Sequence, residues 1–421
     1  MNRKYGEYKN ILCKYGEHMK VKIKKRQLVV FMLVMSMIAE IANGLMIQNG
    51  ISENGVIGYI YRGCLIVLSI IIIINTRDFF GRTVLCLIFF LVAFIIHIIF
   101  WNAQVTEVIS IIKYALFPCT LFAVEVLYRK KIISENDFAK CLVASGVICS
   151  TSFIIARILG LGVNTYEGVT GYKGLFNSVN TITFVLIILI SLTYVIAKEN
   201  DQIRMYILII IELGCLILIG TKSGIVLIAC IIALYTMSNH GDNKVKISVK
   251  KILLIVFFIL CCIVFVIKFN TQINEIVSRQ YEFKGRSDSL YTYLVSGRNI
   301  LLHTANQKYA QDCSILTMLF GVGEIRLSSY IGKLLEMDLF DFFYAWGIGG
   351  VLATYGLTLW YVLYLRKTRK FDKKQTRLLW SIYFILTIYS ILGGHVYGEP
   401  FSEVYFVLAL NFPVFLNGNI T

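Results

Sequence analysis

The chain has 421 residues, 57% of them hydrophobic and only 16% charged, with three prolines and a mean hydropathy of +0.72. A soluble chain of this length would carry roughly 25% charged residues in two or three domains, so an ordinary soluble globule is excluded. The net charge of +16 belongs, in such a chain, to basic loops on one side of a bilayer rather than to a nucleic-acid partner.

Taken in chain order, residues 1–27 form a basic polar segment. The apolar run after KIKKRQ is ~20 residues long without a small-residue cleavage pattern, which reads as a retained anchor. Hydropathy predicts spans over 28–47, 56–75, 83–100, 105–128, 139–159, 177–197, 203–220, 221–237 and 251–268. A non-membrane segment follows over 269–339, then spans over 340–364, 378–397 and 401–417 and a short tail, 418–421. The division between 203 and 237 cuts one long apolar run at GTKSG. With the N-terminus inside, inner segments hold 28 Lys and Arg, against Lys173 and Lys222 in the short outer loops. Both termini are therefore expected in the cytoplasm, with 269–339 outside.

A loop this long is uncommon without a task, and the periodic stretch SLYTYLVSGRNILLHTA predicts two or three short helices lying on the bundle. The expected fold is an all-α polytopic bundle of about twelve transmembrane helices with one large extracytoplasmic loop, a GT-C-like arrangement. Nine of the eleven cysteines lie in spans, leaving Cys313 without a partner outside, and neither CxxC nor metal-ligand spacing is present. The absence of an internal repeat argues against the duplicated halves common in transporters. Neither a Gly-x-x-x-x-Gly-Lys-Ser/Thr nor a Gly-x-Gly-x-x-Gly motif occurs, which speaks against an ATP-driven pump and against a nucleotide-bound donor.

Six short strings occur in order: GYKGLFNSVNTITFVL (171–186), GTKSGIVLIA (220–229), SGRNILL (296–302), LFGVGE (319–324), MDLFDFFYAWGIGGVL (337–352) and GGHVYGEP (393–400). Together with the large loop they resemble the superfamily of bacterial O-antigen polymerases and O-antigen ligases; the first 170 residues match only in hydropathy. The resemblance implies a metal-independent, inverting glycosyl transfer without a cofactor at the outer face of the bacterial cytoplasmic membrane. An oligosaccharide would leave a polyprenyl diphosphate and join an acceptor sugar, with the bilayer, a flippase and a chain-length regulator as partners. Capsule, exopolysaccharide or O-antigen would be the product.

The residue chemistry is compatible with that implication. A diphosphate leaving group needs fixed cations, and arginine offers a planar fork suited to phosphate. Arg298, Arg286, Arg326, Lys173, Lys222 and Arg157 fall on the expected outer side, and Arg286 with Gly297 keeps the Arg-x10-Gly spacing of such loops. An acceptor hydroxyl needs a base or hydrogen-bond partner, for which His395, Glu399, Asp338, Asp341 and Glu324 are available. We read Arg298 and His395 as catalytic: histidine titrates near neutral pH, and the glycines beside His395 let a sugar approach. Arg157, Lys173, Lys222, Arg286, Arg326, Asp338, Asp341 and Glu399 are read as diphosphate or sugar binders.

Plainer readings stand beside these. A loop arginine can simply be solvated or touch anionic lipid headgroups, and His395 can be a satisfied loop histidine. His97 reads as a helix-to-helix hydrogen-bonding residue. Arg62, Lys113 and Arg157 fall inside spans, where charge is costly and faces partners or water; Lys113 could pair with Glu107 or Glu125. Gly347, Gly349 and Gly350 read as tight helix packing. Two function classes remain open: an enzyme, either polymerase or ligase, and a transporter or flippase of lipid-linked oligosaccharide. Sparse charge in mid-span favours the enzyme.

Overall fold

A computed structural model of the chain describes residues 33–51, 55–104, 107–165, 171–200, 203–221, 295–394 and 396–416, with isolated positions between 274 and 292. The helices are α1 (Leu33–Gln48), α2 (Val56–Ile73), α3 (Arg77–Trp101), α4 (Val108–Arg129), α5 (Glu135–Ile158), α6 (Val179–Asn200) and α7 (Ile203–Ile219). Three short helices follow, α8 (Arg298–Gln311), α9 (Ile315–Phe320) and α10 (Glu324–Ile331). The chain then returns to the bundle through α11 (Asp338–Val351), a π-turn (Leu352–Gly356), α12 (Leu357–Thr368), α13 (Lys373–Gly393) and α14 (Pro400–Phe415).

Among the described residues seven helices are long and apolar enough to cross a membrane, with α11 to α12 counted as one, and α1 and α14 are shorter apolar helices. The chain is a multi-pass helical membrane protein. Leu85, Ile88, Leu91, Ile95 and Ile99 of α3 are all exposed; they recur every three or four residues, as a lipid-facing stripe must. α14 is the opposite case, buried along its whole length and packed against α4, α6 and α13. Local signals set the ends: capping boxes at Ser134/Asp137 and Asp372/Gln375 open α5 and α13, and Pro400 occupies the first turn of α14.

Several sequence expectations move. The predicted spans 221–237 and 251–268 lie outside the described residues. α3 starts at Arg77, six residues before the predicted 83, because its first turns carry Arg77 and Arg82 at a membrane boundary; the Arg82 guanidinium lies 3.9 Å from the centre of the Trp360 ring. The predicted span 378–397 ends instead at Gly393, since Gly394 takes a positive φ of 64° and breaks the helix. A small antiparallel pair, β1 (Val163–Asn164) and β2 (Tyr172–Gly174), interrupts the all-α pattern between α5 and α6.

Two glycine motifs interlock. Gly347 has φ 67° and ψ −168° inside α11, so the helix breaks there. The freed Tyr344 and Ala345 carbonyls accept from Val322 and Gly323 at 2.9 Å each. A Cβ on Gly321 would lie 2.2 Å from the Ala345 backbone, and one on Gly347 2.4 Å from Leu319. The LFGVGE turn is thus inserted into the break in YAWGIGG, and His97 Nε2 secures it on the Phe320 carbonyl at 2.9 Å.

At the opposite end of the bundle, buried Glu125 accepts from Arg129 Nε at 3.0 Å and Arg369 Nη2 at 2.7 Å. Glu125 is therefore not the partner of Lys113. Glu107, the other candidate, accepts from the Ile325 amide at 3.0 Å and lies 3.6 Å from His97 Nδ1.

Candidate functional site

The loop-bearing end of the bundle is organised around residues 393–400, which join α13 to α14. Three elements converge on them. Gly297, with φ 76°, starts α8 so that Arg298 is its first residue. From there Arg298 Nη1 donates to the Leu392 carbonyl at 3.0 Å, and Nη2 meets Glu336 Oε2 at 2.9 Å. Glu336 is itself in the left-handed region at φ 60°, and its carbonyl is so close to Gly394 that a Cβ there would lie 2.3 Å away. Only glycine fits at 394.

Asp338, the first residue of α11, is buried and holds the same loop from beneath. Its Oδ2 accepts from the Val396 amide at 2.8 Å, the Tyr397 amide at 3.1 Å and Ser390 Oγ at 2.9 Å. Tyr355 extends the network through Ser390 at 2.6 Å, and the Tyr397 hydroxyl meets Thr358 at 2.8 Å. Ser402 closes the far side by donating to the Val396 and Glu399 carbonyls. Such a network fixes backbone position, because each buried donor has one partner to lose.

A third group lies toward α4. Glu324, which opens α10, receives the hydroxyls of Ser110 and Tyr114. Burial raises its pKa, opposed by the charge of Lys113. Lys113 and Arg62 also act electrostatically on Glu403, one turn into α14, and Arg62 on Glu40 of α1. Glu403 is fully buried, with neither carboxylate oxygen hydrogen-bonded among the described residues. Glu399, at the start of α14, interacts with Glu40, Glu324 and Glu403. Glu40, Asn43, Tyr61, Arg62, Pro400 and Phe401 line a small recess beside it.

Of the residues singled out from the sequence, Arg298, Asp338 and Glu399 come together on the 393–400 loop. Asp338 holds two backbone amides of that loop and the Ser390 hydroxyl through one carboxylate oxygen. Asp341 does a similar task nearby, accepting from the Leu335 and Met337 amides at 2.9 and 3.0 Å. Arg326 is occupied within the short helices: its Nη2 pairs with Asp312 at 2.7 Å, and Tyr330 joins both. Burial opposes ionisation of Asp312, but the hydrogen bonds of Tyr330 and Arg326 outweigh it and hold the carboxyl below its usual range. Arg157 lies over the Tyr172 ring at 5.2 Å, and Lys173 donates to the Asn177 carbonyl at 2.6 Å; burial lowers the Lys173 pKa. These two belong to the β1–β2 corner. His395, Lys222 and Arg286 lie outside the described residues.

The sequence reading missed Glu336, Glu40 and Glu403. Glu40 and Glu403 carry a usable signal, an ionisable residue in an apolar run, the same signal that marks Arg62, Lys113 and Arg157. Glu336 carried none, since a loop glutamate has no periodicity to betray its partner. The motif GYKGLFNSVN also reaches this end: Phe176 stacks on Phe401 at 6.0 Å, the Tyr389 hydroxyl donates to the Asn180 carbonyl at 2.9 Å, and Gly44 of α1 allows the Leu175 carbonyl against it.

The family model described as O-antigen ligase like membrane protein matches residues 268–415. The matched region contains Arg298, Glu336, Asp338, the 393–400 loop and α14, and it supports the resemblance to the O-antigen ligase and polymerase superfamily. It also supports a role connected with membrane polysaccharide. No curated protein matches the chain.

Proposed function

We propose that this chain, similar to O-antigen ligase like membrane proteins over residues 268–415, is a metal-independent glycosyltransferase of the bacterial cytoplasmic membrane that polymerises oligosaccharide repeat units. The donor is a polyprenyl-diphosphate-linked oligosaccharide presented at the outer face, and the acceptor is the terminal sugar of a second lipid-linked unit. The single observation that carries the reading is the fixing of Arg298, in the string SGR, on Leu392 and Glu336 beside the 393–400 loop.

In this reading the acceptor hydroxyl attacks the anomeric carbon, the bond to the diphosphate oxygen breaks, and the diphosphate leaves with the electron pair. Arg298 is suited to stabilise that charge. Nη1 is anchored on the Leu392 carbonyl, while Nη2 is held by a partly exposed Glu336, a contact that a diphosphate oxygen can replace. The hydroxyl proton passes to a base, for which His395 is our assignment, three residues from Leu392. Asp338 serves by fixing the Val396 and Tyr397 amides beside that histidine.

A ligase reading is favoured by the description of the matching family, and the two part on the acceptor. The test is purified protein in nanodiscs with a synthetic polyprenyl-diphosphate oligosaccharide and no nucleotide. A ladder of products from this donor alone is expected of a polymerase. Transfer only after a second, chemically different lipid acceptor is supplied would assign the ligase activity instead. Movement of intact substrate between leaflets without new glycosidic bonds would overturn both.

A further inference from the structure

The end of the bundle opposite the 393–400 loop carries a charge imbalance. Over 77–82, 125–131 and 366–377, which are the start of α3, the end of α4 and the passage from α12 into α13, twelve Lys and Arg stand against Asp78, Glu125 and Asp372. Those acids are committed within the fold. Asp78 sits in the first turn of α3, and Asp372 caps α13 by accepting from the Gln375 amide. Glu125 serves Arg129 and Arg369 together, so one carboxylate answers two guanidinium groups. Residues 1–27, expected on the same side, hold nine Lys and Arg against two Glu and bring no countercharge.

The seam between α3 and α12 gives this charge a defined geometry. Rising numbers on α3 meet falling numbers on α12 and α11: Phe79 meets Tyr364 edge to face at 5.6 Å, Arg82 lies 3.9 Å over the Trp360 ring, and a Cβ on Gly349 would stand 2.1 Å from Phe89. The helices are therefore antiparallel here. Trp360 is backed by Tyr364, stacked at 5.3 Å, and by Phe122 of α4, edge-on at 6.0 Å, which fixes its ring. Arg82 is exposed and makes neither an ion pair nor a hydrogen bond through its side chain among the described residues; its contact is the indole face. Stacking occupies the flat side of the guanidinium and leaves its N–H edge for acceptors in the plane.

Beside this edge the surface turns apolar. Leu85 and Ile88, three and six residues beyond Arg82, are exposed, as are Leu359 and Leu363 next to Trp360. At 3.6 residues per turn both pairs fall on the same outer side of the antiparallel seam. An anion that carries its own hydrocarbon matches that layout, with its charge on the Arg82 edge and its chain on the leucines. A soluble anion would leave the leucines unused, and a choline headgroup finds the indole face already covered by Arg82. We propose that the seam between α3 and α12 is a binding site for an anionic phospholipid, its phosphate on Arg82 and an acyl chain along Leu85, Leu359 and Leu363. The site is separate from the 393–400 loop and does not depend on which transfer reaction the loop end performs.

The experiment places the full chain in nanodiscs of phosphatidylcholine and phosphatidylglycerol in equal amounts with the same acyl chains, and counts the lipids retained on the protein by native mass spectrometry. A charge-assisted hydrogen bond supports a preference of about tenfold for phosphatidylglycerol in the wild type. That preference should fall to near parity in Arg82→Gln. Trp360→Leu keeps the charge but removes the ring that orients it; it should weaken the preference, and it replaces Arg82→Gln if that variant does not fold. Lys140→Gln removes one charge from the same end on α5, which packs against α6 and α7, and should retain the wild-type ratio. An equal fall in Lys140→Gln and Arg82→Gln would reduce the effect to diffuse attraction by basic helix ends and overturn the site. Wild type that holds the two lipids equally would overturn it as well. A preference abolished by millimolar inorganic phosphate would make Arg82 a free-anion site, against the proposal.

Discussion

Arg298 and Leu392, 94 residues apart, are joined by a 3.0 Å hydrogen bond from guanidinium Nη1 to the backbone carbonyl near the end of α13. The bond ties the first residue of a cap helix to the last turn of a long apolar helix. It leaves the other guanidinium nitrogen to Glu336, whose side chain is 31% exposed. Arg298 is consequently oriented by backbone and neutralised by a side chain that can be displaced.

Glu336→Gln separates those two roles. The orientation through Leu392 persists, while the competing carboxylate is gone. We expect KM for the diphosphate-linked donor to fall by roughly tenfold, about 1.4 kcal/mol in affinity, with kcat changed less. Initial-rate kinetics on the purified variant check this, and a raised KM would mean that Glu336 helps to hold the donor.

Removing the Asp338 carboxylate leaves the Val396 and Tyr397 amides and the Ser390 hydroxyl without their acceptor. Unpaired buried donors cost about 1–3 kcal/mol each, so Asp338→Ala should lower the thermal midpoint clearly and reduce kcat more than KM. Asp338→Glu, which keeps the charge but lengthens the arm, should recover stability in part. Thermal denaturation in detergent and kinetics on both variants test the positioning role.

Gly347→Ala should be among the most damaging single substitutions in α11. Its φ of 67° is unfavourable for alanine, and the added Cβ would stand 2.4 Å from Leu319. Gly356→Ala provides the control, since its φ of −62° is helical and the nearest neighbour of an added Cβ is the Leu352 side chain at 3.4 Å. Monodisperse yield on size exclusion should drop far more for Gly347→Ala.

The cap carries its own pH signature. Asp312 has a lowered pKa through Tyr330 and Arg326, so its contribution to stability is present above the ordinary carboxylate value and is lost as pH falls through the lowered one. Protection factors for amide exchange across 298–331, which divide out the intrinsic pH dependence, should be unaffected by this group from pH 7 to about pH 5 and fall below about pH 4. Asp312→Asn should remove that acid step; a variant that keeps it would place the titrating group elsewhere.

The apolar helices were legible because hydropathy reports directly on the lipid environment, and α4 to α6 lie within a few residues of their expected spans, with α11 and α12 together covering another. The short helices after SGR were legible from helical periodicity. The break at Gly347 was not: Gly347, Gly349 and Gly350 were read as close packing, and a single sequence does not reveal that the Leu319–Phe320 backbone threads through. The SGR motif singles out Arg298, whereas Arg326 looks equivalent in the sequence and is occupied by Asp312, a pairing that depends on the approach of α8 to α10. Glu40 and Glu403 were overlooked although burial in apolar runs marks them, and only the packing of α1 against α14 brings them near one charge, Arg62.

The most direct test of the central claim compares wild type, Arg298→Lys and Arg298→Ala in the ladder assay at saturating donor, with folding confirmed by size exclusion. Losing one transition-state donor costs a factor of about 10²–10³ in kcat. We predict a fall of that order for Arg298→Ala and a smaller one for Arg298→Lys, which keeps the charge but not the fork. An Arg298→Ala protein that polymerises at the wild-type rate would contradict the assignment of the 393–400 loop and Arg298 as the centre of glycosyl transfer.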